Sequence, residues 1–296
     1  MRLFVTGSTG FIGGAFVREA VRRGHEVLAL VRDGGQAPAP PCTAAVGTLA
    51  DPPWREIESF EPEAAVHLAW IATPGVYMHS PENERLVDES KRLIAGLLER
   101  AVSRVAVAGT CIEYAPSAEP LDELTSPCAP EFAYSRAKLA LHDWLAELDW
   151  KPGTSWSWLR VFYPYGPGEH PGRLATDFGK RLAAGEDIEL QTPDSVKDFI
   201  YIDDLARAIG DVVGSRLAGP VNIATGEGTS IRRVAELIAE RLGVASTRVR
   251  ASAPLGADPR PTLVARTDRL RSTGWRPTVP LATGLDRLVS TLEPGA

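Results

Sequence analysis

Residues 6–13 read Thr6-Gly7-Ser8-Thr9-Gly10-Phe11-Ile12-Gly13, with glycines at every third position. Leu3 to Thr6, just before them, is a short apolar run suited to a strand buried on both faces. After them Phe16, Val17, Ala20 and Val21 fall on one side of a helix, Gly24 stops it, and Glu26 to Val31 reads as a second strand. Strand, glycine-rich turn, helix and strand make the first unit of a dinucleotide-binding fold. The glycines permit a tight turn and let a pyrophosphate approach the helix N-terminus, where free amides and the helix dipole favour negative charge. Gly7, Ser8, Thr9, Gly10, Phe11, Ile12 and Gly13 are therefore the expected cofactor cradle. The spacing is GxxGxxG rather than GxGxxG, so the turn draws its meaning from the strand before it and the helix after it.

The end of the second strand selects between cofactors. An acidic residue there holds a ribose 2′-hydroxyl, whereas an arginine accommodates a 2′-phosphate. Here the strand ends Leu30-Val31-Arg32-Asp33. Arg32 favours NADP(H), Asp33 leaves room for NAD(H), and an exposed loop arginine is the plain alternative. Gly34 to Pro41 reads as a loop, Thr43 to Val46 as a third strand, and Thr48-Leu49 as neighbours of the adenine. Ala64 to Ala69 reads as a fourth strand, with Leu68 and Ala69 at its cofactor end and Trp70 to Tyr77 as a loop beyond it. Ligands of open parallel sheets sit at that edge. Trp70, Tyr77 and His79 are thus candidates for substrate contact, although packing suits Trp70 equally well. His67, inside the strand, reads as structural.

Leu86, Leu93 and Leu97 give Glu82 to Arg100 a helical period, and Arg104 to Ala108 forms a fifth strand ending in Gly109-Thr110-Cys111-Ile112-Glu113-Tyr114. A hydroxyl at that end is placed to meet a carbonyl near a nicotinamide. The loop Ala115 to Pro130 leads to Ala133-Tyr134-Ser135-Arg136-Ala137-Lys138, the start of a helix. Tyr134 and Lys138 are four residues apart, on one face and about 6 Å apart at Cβ. A lysine ammonium there favours the phenolate and should lower the tyrosine pKa. Farther on, Ser155 to Val161, Asp187 to Leu190, Asp198 to Tyr201 and Pro220 to Ala224 read as strands. Leu174 to Ala184, Ile202 to Val213, Ser230 to Leu242 and Leu281 to Leu288 read as helices.

A chain of 296 residues has room for one large α/β unit with a smaller companion. Its formal net charge of −6 disfavours broad binding to nucleic acid or an acidic membrane. Cys42, Cys111 and Cys128 are odd in number and show no CxxC spacing, which points to reduced thiols rather than disulfides or a zinc site. The N-terminal apolar run is too short for a signal peptide, and no apolar run approaches the roughly 18 residues of a membrane span. A cytoplasmic location is expected, with no metal.

Alternating strands and helices imply a doubly wound, mostly parallel sheet, an α/β Rossmann fold. Thr6 to Gly13, Thr110, Tyr134 to Lys138, Arg160 with Tyr165-Gly166-Pro167, Lys197-Asp198-Phe199-Ile200-Tyr201-Ile202-Asp203-Asp204 and Gly274-Trp275-Arg276-Pro277 stand in order. The set resembles the extended short-chain dehydrogenase/reductases of the NAD-dependent epimerase/dehydratase type, from residue 2 to about residue 290. The resemblance implies a dinucleotide-binding domain over residues 1–165, with 196–224 returning to it. A smaller α/β substrate domain would take 166–195 and 225–296 and hold a nucleotide-linked sugar. It makes Tyr134 the general acid/base, Thr110 its partner at the substrate oxygen, and Lys138 a ligand of the nicotinamide ribose. It nominates Arg173, Lys197 and Arg260 for the diphosphate, adds Tyr165 to the substrate side, and suggests a homodimer through the helices at 82–100 and 132–148.

Dehydratases of this type carry Asp then Glu directly after the hydroxyl residue. Here Cys111 and Ile112 stand there, so water elimination is not expected; Glu113, displaced by one, is expected at substrate or behind a site residue. Tyr163-Pro164 and Ser90 replace customary asparagines and suggest an altered sugar pocket. The segments His67 to Trp70, Pro81 to Asn83 and Gly109 to Tyr114 are similar to a branch of nucleotide-sugar 4-ketoreductases. That branch implies NADPH-dependent reduction of a 4-keto-6-deoxyhexose. An NAD-retaining epimerase is the enzymatic alternative, and a non-catalytic dinucleotide sensor the other.

Overall fold

The computed structural model describes residues 1–32, 42–252 and 260–292. Asp33 and the segment 34–41, expected as strand end and loop, lie outside the described residues.

The first half of the chain runs β1 (Arg2–Thr6), α1 (Phe11–Arg22), β2 (Glu26–Val31), β3 (Cys42–Val46), α2 (Trp54–Phe60), β4 (Ala64–His67), α3 (Glu82–Glu99), β5 (Arg104–Thr110), α4 (Ala133–Glu147) and β6 (Ser155–Val161). The second half follows with β7 (Tyr163–Tyr165), α5 (Leu174–Ala183), β8 (Ile188–Leu190), β9 (Val196–Tyr201), α6 (Ile202–Gly214), β10 (Gly219–Ile223), β11 (Gly228–Ser230), α7 (Ile231–Leu242), β12 (Val249–Ala251), β13 (Thr262–Leu263), α8 (Asp268–Ser272) and α9 (Leu281–Val289).

Seven strands form one sheet in the order β10-β6-β5-β4-β1-β2-β3, and every neighbouring pair is parallel. The order reverses between β1 and β4, which is where a doubly wound sheet opens a crevice at its carboxyl edge. Apolar runs fit this position because helices cover both faces. Leu3, Val5, Val66 and Leu159 pack toward α1 and α6 on one side. Phe4, Ala65, Val105 and Trp158 pack toward α3 and α4 on the other.

A second sheet, β11-β9-β13 with β7 beside β9, and the pair β8–β12 build the smaller lobe. Its core unites Tyr165, Phe178, Tyr201, Val234, Ile238 and Leu285. The division between lobes differs from the expected one in two places. β9 pairs in the small sheet rather than returning to the large one. Leu270 and Trp275, from the C-terminal stretch, pack into the large core with α6. The Trp275 indole donates to the Asp204 carbonyl at 3.1 Å, which ties that return to the start of α6.

Candidate active site

The glycine turn joins β1 to α1 at the crevice. Gly7 has φ +71°, a left-handed conformation open to glycine, and a Cβ there would lie 2.7 Å from the Ala69 nitrogen. A Cβ on Gly13 would stand 2.0 Å from the Gly7 carbonyl oxygen, so only hydrogen lets α1 start this close to the turn. No side chain caps the α1 N-terminus at Gly10. An uncapped helix start behind a glycine-rich turn fits a dinucleotide pyrophosphate. The Ser8 hydroxyl turns inward to the Leu30 carbonyl at 3.4 Å, leaving backbone to face the cradle. Phe11 and Ile12 also pack against the smaller lobe's core, which anchors that lobe over the turn.

β4 is shorter than expected and ends at His67, with Leu68 and Ala69 continuing as irregular chain beside Gly7. Thr6 and His67 pair across β1 and β4, Oγ1 to Nδ1 at 2.8 Å, and His67 Nε2 lies 2.8 Å from Ser90 Oγ. Ser90 donates its own proton to the Leu86 carbonyl at 2.6 Å, so it accepts from His67 Nε2–H. That assigns a neutral imidazole whose Nδ1 accepts from Thr6, while Thr6 Oγ1 accepts from the Ala69 N–H at 3.2 Å. Burial and then the charge of Lys138 bring the His67 pKa down to about 3. His67 is structural as read. Ser90 is fully buried behind it, so it does not alter a sugar pocket as its motif position suggested.

Arg32 is exposed at the end of β2, and Leu49 packs into the core with Leu30 and Ala45. Beyond β4 the loop is pinned by Asn83, which accepts from the Trp70 indole at 2.8 Å and donates to the Tyr77 and Ser80 carbonyls. Tyr134 N–H donates to the Met78 carbonyl at 3.1 Å, joining this loop to the start of α4. Ser135 closes that start by accepting from Phe132 N–H and donating to Phe132 O, both at 3.1 Å. The Tyr77 ring meets Tyr134 edge-on, centroids 4.9 Å apart. His79 meets Phe132 instead, so it sits beside the site rather than in it.

Thr110 ends β5 and faces Tyr134, while Lys138 lies one turn farther along α4. Its ammonium donates to the Ala108 carbonyl at 2.9 Å and stands 3.6 Å from the Trp70 ring centroid. The expected electrostatics are not what this packing produces. Burial raises the Tyr134 phenol well above its ordinary value; Tyr77 and Glu113 add to the rise, and the Thr110 hydroxyl pulls the other way. Lys138 itself drops to about 7, burial outweighing the charge of Glu113. A lysine driven toward neutrality by desolvation has little charge to spend on its neighbour.

The substrate candidates divide. Arg173 reaches across the crevice from the start of α5, donating to the Ala72 carbonyl at 3.2 Å and to the Tyr77 hydroxyl at 3.5 Å. Arg260 pairs with Glu131 at 3.1 Å and lies over the Phe132 ring, directly before α4. Lys197 is 5% exposed, and its ammonium donates to the Arg260 carbonyl, so it braces that segment from beneath. One expectation is corrected, and for Glu113 the substrate alternative is removed. Tyr165 is 2% exposed, its hydroxyl bonded to the Leu281 carbonyl inside the small lobe, because its place in β7 turns it toward α9. Glu113 has no exposure at all and pairs with Arg160 at 2.9 Å, so it cannot touch substrate.

Sequence reasoning did not single out Glu169. Its carboxylate accepts from Thr176 at 2.9 Å, and burial pushes it up to about 7 against the pull of Thr176 and Arg173. An acidic residue four positions before an arginine that itself opens a helix was the available signal. Among the described residues no three metal-ligating side chains cluster, and no helix is long and apolar enough to cross a membrane.

The NAD dependent epimerase/dehydratase family matches residues 3–224. The dTDP-6-deoxy-L-talose 4-dehydrogenase (NAD(+)) of Aggregatibacter actinomycetemcomitans is 28% identical over 251 residues, 81% of this chain and 90% of that one. The dTDP-6-deoxy-L-talose 4-dehydrogenase (NAD(P)(+)) of Kitasatospora kifunensis is 28% identical over 270 residues, 87% and 84% of the two chains. The solved UDP-glucose 4-epimerase of Thermus thermophilus with NAD is similar with a TM-score of 0.83 and 27% identity, covering 98% of each chain. With the crevice, the glycine turn and the Thr110–Tyr134–Lys138 set in the same chain, the protein belongs to the NAD dependent epimerase/dehydratase family.

Proposed function

We propose that this chain catalyses NAD(P)-dependent interconversion of ketone and alcohol at C4 of a nucleotide-diphospho-6-deoxyhexose, reduction by NADPH being the favoured direction. The observation that carries this reading is the pair after Thr110. Cys111 is buried, and its thiol is pushed up to about 12 by burial, with Glu113 adding to it. Ile112 has no proton to give. Neither can serve the acid and base steps of an elimination, so Tyr134 is left as the proton-transferring group beside the reacting carbon.

A bound nicotinamide would supply the hydride exchange. Gly7 to Gly13 would hold the pyrophosphate, Lys138 the nicotinamide ribose, Leu49 the adenine side, Leu68 and Ala69 the cofactor beside Gly7, and Arg32 a 2′-phosphate. Tyr134 delivers the proton to the carbonyl oxygen during reduction and removes it during oxidation, while the Thr110 hydroxyl holds that oxygen. Trp70 and Tyr77 would line the sugar, and Arg173 and Arg260, braced by Lys197, would take the diphosphate. The name of the NAD(P)(+)-dependent relative supports both the sugar position and the use of either cofactor.

The test is a panel of nucleotide-linked 4-keto-6-deoxyhexoses with NADPH and NADH, and dTDP-6-deoxy-L-talose with NAD(+) and NADP(+). Net cofactor turnover at C4 is the expected result. Retained NAD after purification, with no net turnover on any keto-sugar, would replace this reading by epimerisation, which the likeness to UDP-glucose 4-epimerase favours. Dinucleotide binding without any sugar chemistry would leave a sensor. We also propose a homodimer through α3 and α4, which sedimentation would check, and a reducing, cytoplasmic setting suited to three free cysteines.

A further inference from the structure

A carboxylate taken fully out of water is costly unless every lone pair finds a donor. Three donors hold Glu113, one of them shared between its two oxygens. Its Oε1 accepts from the Thr110 backbone N–H at 2.8 Å and from the Trp158 indole at 3.2 Å. Its Oε2 accepts from Arg160 Nε at 2.9 Å and from the same indole at 3.0 Å. Arg160 is itself anchored, donating to the Tyr114 hydroxyl, the Glu123 carbonyl and the Cys128 sulfur, with its guanidinium 4.6 Å from the Tyr114 ring centroid. Tyr114 passes the chain on to Asn222 of β10 at 2.7 Å, and Asn222 donates to the Leu121 and Arg266 carbonyls. This network starts at the backbone of Thr110 and ends on the segment that follows β13.

The strand end is gripped residue by residue. Ala108 O takes the Lys138 ammonium. A Cβ on Gly109 would stand 2.2 Å from the Trp158 indole nitrogen and 2.9 Å from Glu113 Oε1, so that space is filled by the two side chains. Thr110 then caps the short turn Cys111–Glu113, its backbone N–H given to Glu113 while its Oγ1 accepts from Ile112 N–H at 3.5 Å. The hydroxyl proton points out of the turn, toward Tyr134.

We infer that Glu113 is a positioning residue for the reaction: clamped by Arg160 and Trp158, its carboxylate fixes the Thr110 backbone and so aims the Thr110 hydroxyl at the oxygen that Tyr134 protonates. This inference rests on the roles proposed for Thr110 and Tyr134. It also has an electrostatic side, since the Glu113 charge favours the Lys138 ammonium against burial. The groups facing that ammonium are Glu113, His67, Tyr134 and the Trp70 ring.

A double-mutant cycle tests it. Glu113→Gln can satisfy only one of its two clusters of donors, and a misplacement of Thr110 by about 1 Å predicts a kcat lower by about 10²-fold with KM little changed. In the Thr110→Ala background the same substitution should cost much less, leaving only its effect through Lys138; costs that multiply in full would overturn the inference. Should the uncompensated Arg160 prevent folding, Glu113→Asp keeps the charge, withdraws the carboxylate by one methylene and enters the same cycle. Two readouts need no substrate. Amide exchange at Thr110 should quicken about tenfold in either variant while Val107 and Leu159 keep their protection. The Lys138 13Cε titration should move to lower pH in Glu113→Gln and stay in place in Glu113→Asp. Unchanged exchange at Thr110 would overturn the positioning role. A wild-type chain inactive on every sugar would unseat the sugar assignment, and these two readouts would then decide on Glu113 alone.

Discussion

The Lys138 ammonium lies 3.6 Å from the centroid of the Trp70 ring, and the residue is 2% exposed. Two effects of that ring oppose each other. Its quadrupole favours a cation by roughly 2 kcal/mol when desolvated, equivalent to about 1.5 pH units. Its bulk excludes water, and burial brings the lysine from 10.5 to about 7. Where the ring supplies most of that burial, exclusion is the larger effect. Trp70→Ala should therefore raise the Lys138 pKa, read from the 13Cε shift of labelled lysine and assigned by its loss in Lys138→Arg. An unchanged or lower value would mean that the ring's attraction equals or outweighs its exclusion of water.

Tyr134→Phe keeps the ring that packs edge-on against Tyr77 and removes only the hydroxyl. Turnover should fall by roughly 10²–10⁴, the usual worth of a positioned proton donor. Cofactor affinity, followed by fluorescence quenching, should stay near that of the wild type because the hydroxyl is not part of the glycine cradle. Retained turnover would remove Tyr134 from the chemistry.

Arg32 is exposed and forms no hydrogen bond or ion pair with the described residues, so its removal should not disturb the fold. If it meets a 2′-phosphate, Arg32→Ala loses charge-assisted bonds of roughly 1.5–3 kcal/mol with NADPH and little with NADH. Titration of both dinucleotides against both proteins checks this. Equal losses would discard the 2′-phosphate role.

Much of this site was legible because its signals are local. The turn from Gly7 to Gly13 lies between a strand and a helix with clear periods, and Tyr134 and Lys138 share a helix face. α2 escaped notice because only Trp54, Ile57 and Phe60 mark its seven residues, directly after two prolines. β11, β12 and β13 have two or three residues each, too few for any alternation to register. The role of Glu113 depends on Arg160, 47 positions away, and Tyr165 is turned inward by pairing between β7 and β9. Such facts arise only when distant segments meet. Likewise, spacing placed Lys138 beside Tyr134, but the sign of both pKa shifts came from burial, which spacing does not report.

His67 gives a pH prediction with a definite sign. Its folded pKa of about 3 lies below the ordinary 6.5, so between those values the unfolded chain binds more protons. The stability it contributes is complete above pH 6.5 and is lost as the pH falls toward 3, with a slope of up to about 1.4 kcal/mol per pH unit. Urea midpoints at about pH 7, 5 and 4 should fall more steeply for the wild type than for His67→Gln, since the carboxylates titrate in both. Parallel slopes would mean that His67 charges without unfolding the Thr6–His67–Ser90 chain.

Glu169 has the opposite sign. Burial lifts its carboxyl from 4.5 to about 7, more than Thr176 and Arg173 pull it down. The folded chain therefore binds the extra proton between those values, and the stability linked to it, full below pH 4.5, is lost as the pH rises through 7. Glu169→Gln retains an acceptor for the Thr176 hydroxyl and carries no charge to desolvate. Relative to the wild type it should gain roughly 1–3 kcal/mol of stability between about pH 4.5 and pH 8, measured by urea unfolding at both. A constant difference across that range would show the carboxylate ionised throughout, with Arg173 compensating its burial. That outcome would place Arg173 in a firm ion pair at the start of α5 and leave it less free to meet a diphosphate.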